Sequence, residues 1–427
     1  MSIPPFPPEE VERITDDVIE KYRQYVNPGV ANLLKFAGFG VPEWEGSGTR
    51  VRDIAGKEYL DFVGGYGVFA LGYRHPRVVA AVAEQLGRLP LKTHYFLSQP
   101  VADLCALLAD VTPGRLQYTF LCNSGTEAVE GALKAARVFT KRRGFVSAIG
   151  AFHGKSMGSL SASGREVYKE PFYPLVPGFR QVPFGQIEPL RDILSEDIAA
   201  VILEAVQGEA GVRVPPDDYL RQVRAACDEK GVLLILDEVR TGFGRLGRLF
   251  AADLYGVEPD IICFGKALGG GVMPAGAFMA RAEIWEALFG ENPYLHSSTF
   301  GGNPLAAAAG LAAVRTTIEE KLPERAAALE PRLVGGLRRI QEKYPTVTAD
   351  VRGKGLLAGV EFRDPDFAKL VITTMGHKGV LGAYSLNNPC VLRLEPPLIV
   401  QEEEIDHALA VFEACVGESL EALEGLI

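Results

Sequence analysis

The feature that most constrains the fold of this chain is a series of apolar runs that alternate with helical segments between residues 75 and 315. The runs are FVSAIG from Phe145, AAVILEAV from Ala199, VLLILDEV from Val232, DIICFGKAL from Asp260 and GAFMA from Gly276. Such runs are typical of strands buried on both faces, and their alternation with helices is typical of a parallel sheet. We therefore predict an α/β protein with a parallel-rich sheet covered by helices.

The segments on either side of this region have different patterns. Apolar residues between positions 11 and 26 recur at helical spacing, which predicts an amphipathic helix that ends at Pro28 and docks on the main body. The residues around Gly56 predict two short strands joined by a turn. Further strands expected at 358–362 and 391–394 indicate a second, smaller lobe.

Composition narrows the function classes. The 427 residues include 44 Lys and Arg against 54 Asp and Glu, a net charge of −10, which argues against binding to nucleic acid or to anionic lipid. The six cysteines have no metal-ligand spacing, and the chain shows neither a signal peptide nor a membrane-spanning apolar run. We expect a cytoplasmic protein with a small-molecule ligand and no bound metal.

Several of the apolar runs end in ionisable residues, namely Glu204, Asp237 and Lys266. Ligands of open α/β sheets bind at the carboxyl ends of the strands, so the ligand site is expected there. A buried carboxylate needs a cationic partner, and a desolvated lysine is a good nucleophile toward carbonyls. Together Asp237 and Lys266 suggest a carbonyl cofactor with a ring nitrogen, although either residue alone could belong to an ordinary ion pair.

Two further segments could contact such a cofactor. Ser124, Gly125 and Thr126 stand at the start of an expected helix, where backbone N–H groups and hydroxyls can hold a phosphate. The alternative is that Ser124 merely caps the helix. Phe152 and His153 follow a strand, and an aromatic ring there can stack on a cofactor, although Phe152 could also be a core residue.

One glycine pattern is misleading. Gly242, Gly244 and Gly247 satisfy the GxGxxG spacing of dinucleotide-binding proteins, but that motif should lead directly from a strand into a helix. Here charged residues intervene, so we do not interpret the pattern as a nucleotide site. The motifs of P-loop NTPases, serine hydrolases and zinc proteases do not occur either.

Seven segments, in their order and spacing, resemble the class III aminotransferases, which are pyridoxal phosphate enzymes of fold type I. They are NSGTEAVE at 123, AFHGKS at 151, EAVQGEAG at 204, LDEVRTGFGRLG at 236, GKALGGGVMP at 265, HSSTFGGNP at 296 and LRLEPPL at 392. Within the family the chain is most similar to the putrescine aminotransferases, judged by VNPG at 26, CNSGTE at 122, VPFGQIE at 182 and LNNP at 386. Ornithine and acetylornithine aminotransferases come next.

The resemblance implies a large cofactor-binding domain at 73–315 with a mostly parallel, seven-stranded sheet. It also implies a smaller α+β domain formed by 1–72 and 316–427. Fold type I enzymes share active sites between subunits, so the resemblance further implies a homodimer, or a dimer of dimers.

The resemblance assigns a role to each candidate residue. Lys266 becomes the Schiff-base lysine and proton shuttle, and Asp237 keeps the ring nitrogen protonated. The other cofactor contacts are Ser124, Gly125, Thr126, Phe152, His153, Glu204, Val239 and Arg240. Thr299 is expected to reach the phosphate bound by the neighbouring subunit.

Two positions depart from the family pattern. Arg240 stands where a glutamine usually contacts the phenolic oxygen of the cofactor, so its contact is open, and a surface or interlobe ion pair is the alternative. Lys155 stands where ornithine and acetylornithine aminotransferases carry an arginine suited to a substrate carboxylate. This difference favours a donor without that carboxylate, such as the diamines putrescine and cadaverine.

The acceptor is expected to be 2-oxoglutarate. Arg393 matches the family arginine that binds its α-carboxylate, and Glu209 matches the glutamate that pairs with this arginine when the substrate lacks a carboxylate there. A permanent salt bridge is the alternative. Tyr66 either lines the substrate pocket or simply packs.

The sequence thus predicts a homodimeric aminotransferase that converts a diamine and 2-oxoglutarate into an aminoaldehyde and glutamate. The competing hypotheses are an ornithine or acetylornithine aminotransferase, a pyridoxal phosphate racemase or lyase, and a non-catalytic binding module.

Overall fold

A computed structural model describes residues 6–424 and has a seven-stranded sheet at its centre. In chain order the strands are β1 Glu43–Ser47, β2 Arg50–Asp53, β3 Glu58–Asp61, β4 Leu116–Cys122, β5 Gly144–Ala148, β6 Phe179–Val182, β7 Ile198–Glu204, β8 Leu233–Asp237, β9 Ile261–Phe264, β10 Gly276–Arg281, β11 Thr348–Lys354, β12 Leu357–Phe362, β13 Val380–Leu381, β14 Ala383–Tyr384 and β15 Val391–Leu394.

The central sheet has the strand order β4-β10-β9-β8-β7-β5-β6. Strands β5 to β9 run parallel to their neighbours within this set, and β10 is antiparallel to both β4 and β9. The prediction of a parallel-rich sheet is confirmed. Strands β4 and β6 were not predicted, because both have exposed or half-buried positions and lack a continuous apolar run.

Helices cover both faces of this sheet. The α-helices are α1 Pro8–Lys21, α2 Pro28–Phe36, α3 Gly64–Gly67, α4 Pro76–Leu86, α5 Gln99–Val111, α6 Gly125–Thr140, α7 Met157–Ala162, α8 Ile187–Ile193, α9 Tyr219–Lys230, α10 Ala251–Tyr255, α11 Ala282–Phe289, α12 Pro304–Glu319, α13 Leu322–Lys343, α14 Pro365–His377 and α15 Glu402–Glu424. Three 3-10 turns lie at Glu166–Tyr168, Glu170–Phe172 and Lys266–Gly269, and a π-helical turn lies at Tyr22–Val26.

Alternate residues of the central strands pack into two separate apolar clusters. Ile202 and Ile235 belong to the cluster that contains α6 and α11, whereas Leu203 and Leu236 belong to the larger cluster that contains α9 and α12. Because side chains alternate along a strand, one apolar run serves both faces. This double burial explains why the central strands are continuously apolar.

Two smaller sheets are built from the remaining strands. Their orders are β1-β2-β3-β13 and β11-β12-β15-β14, so the first joins strands from both ends of the chain. The second sheet contacts loops of the central sheet, since the backbone N–H of Asn387 donates to the carbonyl of Glu209 at 2.9 Å. The N–H of Leu356 likewise donates to the carbonyl of Arg245 at 3.0 Å. These contacts bring β15 close to the carboxyl edge of the central strands.

The amino-terminal helix has the predicted extent, because the helical backbone continues from α1 through the π-helical turn to Val26. The second helix was not predicted: Pro28 also begins α2. The side chain of Asn27 accepts hydrogen bonds from the N–H groups of Gly29 and Val30, and proline is well suited to the first turn. Within residues 6–424, no helix combines the length and apolar character needed to cross a membrane.

Candidate active site

The parallel register brings the ionisable strand ends together. Glu204 lies opposite Asp237, and Asp237 lies opposite Cys263, so β7, β8 and β9 end at the same edge. Lys266 follows β9 after one glycine, at the start of a 3-10 turn. Glu204, Asp237 and Lys266 therefore line one cavity, and the structure also shows what surrounds each of them.

Asp237 is buried and held in one orientation. Its Oδ2 lies 2.7 Å from Nδ1 of His153, and its Oδ1 accepts a hydrogen bond from the N–H of Val239 at 3.0 Å. Burial alone would lower the pKa of His153, but the hydrogen bond and the charge of Asp237 outweigh burial and raise it. Nε2 of His153 is buried and has no hydrogen-bond partner among the described residues. The pair is a rigid carboxylate–imidazole unit.

Lys266 combines a strained backbone with an easily deprotonated amine. Its φ of 45° lies in the left-handed region, which is rare for a residue with a side chain and is often found at functional sites. Desolvation lowers the pKa of Lys266 to about 7, and the charge of Arg240 acts in the same direction. No carboxylate of residues 6–424 forms an ion pair with it within 4.0 Å. The ordinary salt-bridge alternative therefore does not describe Lys266.

A cavity of about 290 Å³ opens over these residues. It is lined by Ser124, Gly125, Thr126, Phe152, His153, Gly154, Lys155, Glu204, Val206, Asp237, Val239, Arg240, Thr241 and Lys266. A Cβ at Gly125 would stand 2.7 Å from Cγ1 of Val239, so glycine is needed where α6 approaches this wall. The N–H of Phe152 donates to Glu204 at 2.9 Å, and burial raises the pKa of Glu204 to about 7.

One end of the cavity is suited to an anion. Ser124 does cap α6, since its Oγ accepts from the N–H of Glu127 at 3.4 Å, and it also lines the cavity. The hydroxyl of Thr126 lies 2.7 Å from that of Ser156 and 2.6 Å from that of Ser159. Hydroxyls and free N–H groups at the start of a helix bind phosphate well. A flat ring with a basic nitrogen, a carbonyl and a phosphate fits this donor set.

Beside the cavity lies a group of four buried charges, here called the charge cluster: Glu209, Arg240, Arg393 and Glu395. Arg240 pairs through Nη2 with Oε1 of Glu209 and through Nη1 with Oε2 of Glu395, the latter at 2.6 Å. Nη1 of Arg393 lies 3.1 Å from the same Oε1 of Glu209. Burial would raise the pKa of Glu209, but Arg240 and Arg393 outweigh it and hold the pKa at about 2.

The charge cluster settles some expectations and adds residues. Arg240 is buried and does not lie at the surface; it follows β8 and pairs with Glu395, the residue after β15, as in the alternative of an interlobe ion pair. Glu395 was missed, although it stands two residues after Arg393 in an extended segment and therefore on the same side. Arg245, which the sequence suggests only as part of a loop, is 2% exposed and donates to the carbonyl of Leu356 at 2.9 Å.

Three other candidates lie at the edge of the site or away from it. Lys155 is exposed at the cavity mouth, with Nζ 4.3 Å from the ring centre of Tyr168. Tyr66 has a positive φ of 58°, and its ring centre lies 5.6 Å from the guanidinium carbon of Arg393. Thr299 is exposed and is not among the described residues that line this cavity.

Comparisons with known proteins agree with this geometry. Residues 39–416 match the family described as class-III aminotransferases. A putrescine aminotransferase from Pectobacterium atrosepticum is 46% identical over 416 residues, covering 94% of this chain and 89% of that protein. The ornithine aminotransferase structure from Toxoplasma gondii is similar with a TM-score of 0.88 at 33% identity, covering 98% of this chain and 100% of that one. An (S)-enantioselective omega-transaminase from Thermomicrobium roseum has a TM-score of 0.84 at 34% identity, covering 89% and 93%.

Proposed function

Because the chain belongs to the class-III aminotransferases, which use pyridoxal phosphate, we propose that it transfers the terminal amino group of an aliphatic diamine to 2-oxoglutarate. Putrescine and cadaverine are the proposed donors, and the products are an aminoaldehyde and glutamate. The two substrates react in turn, as in other ping-pong transfers. A single pocket must therefore accept a donor without a carboxylate and an acceptor with two.

The cavity residues are proposed to hold the cofactor as follows. When bound, pyridoxal phosphate supplies a carbonyl carbon that reacts with amines and a protonated ring that withdraws electrons. Asp237 would hold the proton on the ring nitrogen, and His153 keeps that carboxylate in place. Phe152 and Val239 would contact the ring, and the start of α6 would bind the phosphate. This assignment rests on the buried Asp237–His153 unit and the anion-binding end of the cavity.

Lys266 is proposed to be the catalytic base. Its amine would hold the cofactor covalently in the resting holoenzyme and, when free, would take the proton from the amine-bearing carbon of the substrate. This role needs the neutral amine near neutral pH. Desolvation supports it, because it lowers the pKa of Lys266 to about 7.

The observation that carries the choice of a diamine is the closed pair between Glu209 and Arg393. In the structure Glu209 lies at Nη1 of Arg393 and Glu395 lies 3.4 Å from its Nε, so a donor carboxylate would have to compete with two carboxylates for this arginine. Lys155 lacks the planar fork of an arginine and lies over Tyr168. A donor without a carboxylate suits this arrangement, whereas a 2-oxo acid must open the pair to reach Arg393.

A homodimer with shared sites is part of the proposal. The side chains of Tyr95, Phe96 and Leu97 are almost fully exposed, and exposed apolar patches mark interaction surfaces. The neighbouring His94 lies 3.0 Å, through Nε2, from the carbonyl of Thr299. We place Thr299 beside this surface, from which it would reach the phosphate bound by a partner subunit.

The donor is tested by supplying 2-oxoglutarate and one amine at a time, and by measuring glutamate. We expect higher kcat/KM for putrescine and cadaverine than for ornithine and N-acetylornithine. The opposite order would move the chain to the ornithine branch, which the structural likeness to the Toxoplasma enzyme makes the second candidate. Turnover of an amine without any 2-oxo acid would instead indicate a racemase or a lyase.

A further inference from the structure

Arg240 lines the cavity and also forms ion pairs with two residues of the charge cluster. Its guanidinium joins two carboxylates, Glu209 and Glu395, and all three side chains are buried. A Cβ at Gly208 would collide with Cδ of Arg240, so the absence of a side chain at Gly208 leaves room for the arginine. The side chain of Arg240 is therefore held at its guanidinium by two ion pairs and packs at Cδ against Gly208.

Glu209 does not depend on Arg393 alone. One carboxylate oxygen, Oε1, contacts both Arg240 and Arg393, and the other accepts a hydrogen bond from the N–H of Leu386 at 3.1 Å. If Arg393 turned to another anion, Glu209 would keep two partners. A buried carboxylate left without any cation would be strongly unfavourable, and Arg240 prevents that state.

Arg393 has capacity for such an anion. Its Nη2 and Nε are buried and make no hydrogen bond within the described residues, and Nε lies 3.4 Å from Glu395. Nη2 of the adjacent Arg245 is also unpartnered among those residues. Within 4.0 Å, three guanidinium groups share two carboxylates in this region, so a further carboxylate at Arg393 would meet N–H groups that have no hydrogen-bond partner among the described residues.

We propose that Arg240 is the fixed counter-ion of Glu209, which allows Glu209 to release Arg393 when the carboxylate of a 2-oxo acid enters the pocket. Glu395 keeps Arg240 in place during this exchange. Arg240 is thus a positioning residue that favours the acceptor half of the reaction over the donor half. The inference rests on the proposed function, in which Arg393 binds the acceptor.

The test uses the holoenzyme and glutarate, a dicarboxylate that has no oxo group and so cannot react. Calorimetry measures glutarate binding to the wild type, Arg240→Gln and Arg240→Lys. We expect Arg240→Gln to weaken binding by about tenfold or more, because Glu209 then has only Arg393 as a cation, and we expect Arg240→Lys to recover part of it. If Arg240→Gln does not fold, the double variant Arg240→Gln/Glu395→Gln takes its place, because it removes one positive and one negative charge together.

A second readout separates positioning from structural damage. Single-turnover rates are measured separately with 2-oxoglutarate and with the diamine, and the efficiency with 2-oxoglutarate is divided by the efficiency with the diamine. This ratio should fall by about tenfold in Arg240→Gln. Arg224→Gln is the matched control, since Arg224 forms a largely buried pair with Asp260 at 2.7 Å, away from the cavity lining. The control should leave the ratio and glutarate binding unchanged.

Equal glutarate affinity in the wild type and Arg240→Gln would overturn the inference, as would an unchanged ratio or a wild type that does not bind glutarate. These results differ from a failure of the proposed donor. The calorimetric measurement of glutarate binding uses no amine. A preference for ornithine over putrescine would therefore contradict the donor proposal without changing what calorimetry shows about Arg240.

Discussion

Two regions of the site are built in different ways. The ring site, Asp237 with His153, Phe152, Val239 and Lys266, stands on strand ends and the turns that follow them. The charge cluster instead combines two residues from loops of the central sheet with Arg393 on β15 and the neighbouring Glu395. The ring site holds one fixed carboxylate, whereas in the charge cluster each of the two arginines lies near both carboxylates, within 3.4 Å. Under the proposed function, the ring site performs the bond chemistry and the charge cluster distinguishes the two substrates.

The largest effect is expected for Lys266→Ala, which removes the base from the ring site. Turnover of putrescine with 2-oxoglutarate should fall by at least about a thousandfold, because the other lysine that lines the cavity, Lys155, is exposed and has its Nζ over the ring of Tyr168. The measurement is the steady-state formation of glutamate. Lys343→Ala, which removes an exposed lysine paired with Glu413, is the control and should retain full activity. Full turnover in Lys266→Ala would contradict the mechanism.

Asp237→Asn tests the fixed carboxylate. The amide lacks the charge that stabilises a proton on the cofactor nitrogen and on His153, so kcat should fall by about a hundredfold or more. Asp260→Asn is the matched control, since Asp260 is a buried acid at the opposite end of the sheet, where it accepts from the N–H of Leu234 at 2.7 Å. It should lower the melting temperature but not the kcat of the folded protein. Equal losses in both variants would show that Asp237 is only structural.

Lys155→Arg sharpens the distinction between the substrates. A planar guanidinium at the cavity mouth can bind a carboxylate through two hydrogen bonds, which the ammonium cannot do. We expect the ratio of kcat/KM for ornithine to that for putrescine to rise by about tenfold. Lys155→Gln removes the positive charge and adds no planar guanidinium, so it should not raise the ratio. An unchanged ratio in Lys155→Arg would show that the donor is selected elsewhere.

The smallest effect is a pH dependence. In the cofactor-free protein the neutral amine of Lys266 is the form that attacks an aldehyde, and desolvation lowers its pKa to about 7. The rate of cofactor attachment should therefore rise only about twofold between pH 7 and pH 9, because the amine is already half neutral at the lower pH. An ordinary lysine would show an increase of about a hundredfold over the same range, and that result would refute the lowered pKa.

The ring site could be predicted from the sequence because its signals are local. Asp237 and Lys266 end apolar runs, and parallel strands bring such ends together. The alternation that predicts five strands does not extend to β4 and β6, whose partly exposed positions break the apolar pattern. The sequence also did not predict that Asn27 caps α2, because a proline such as Pro28 is compatible with the end of one helix and with the start of the next.

The charge cluster could not be assembled from the sequence in the same way. Arg240 and Glu395 are 155 positions apart, and no periodic pattern relates them. The resemblance to the family identifies Arg393 and Glu209, but it carries no information on a position where this chain departs from the usual glutamine. The role of Arg240 depends on which carboxylates the fold places around it, and that is a tertiary property.

The most direct test of the account is the absorbance of the bound cofactor when the purified holoenzyme is mixed with one amine and no acceptor. The account predicts faster loss of the resting absorbance band with putrescine than with ornithine, and full recovery when 2-oxoglutarate is added. Faster loss with ornithine would contradict the proposed diamine donor, and no recovery with 2-oxoglutarate would contradict a charge cluster that accepts both substrates in turn.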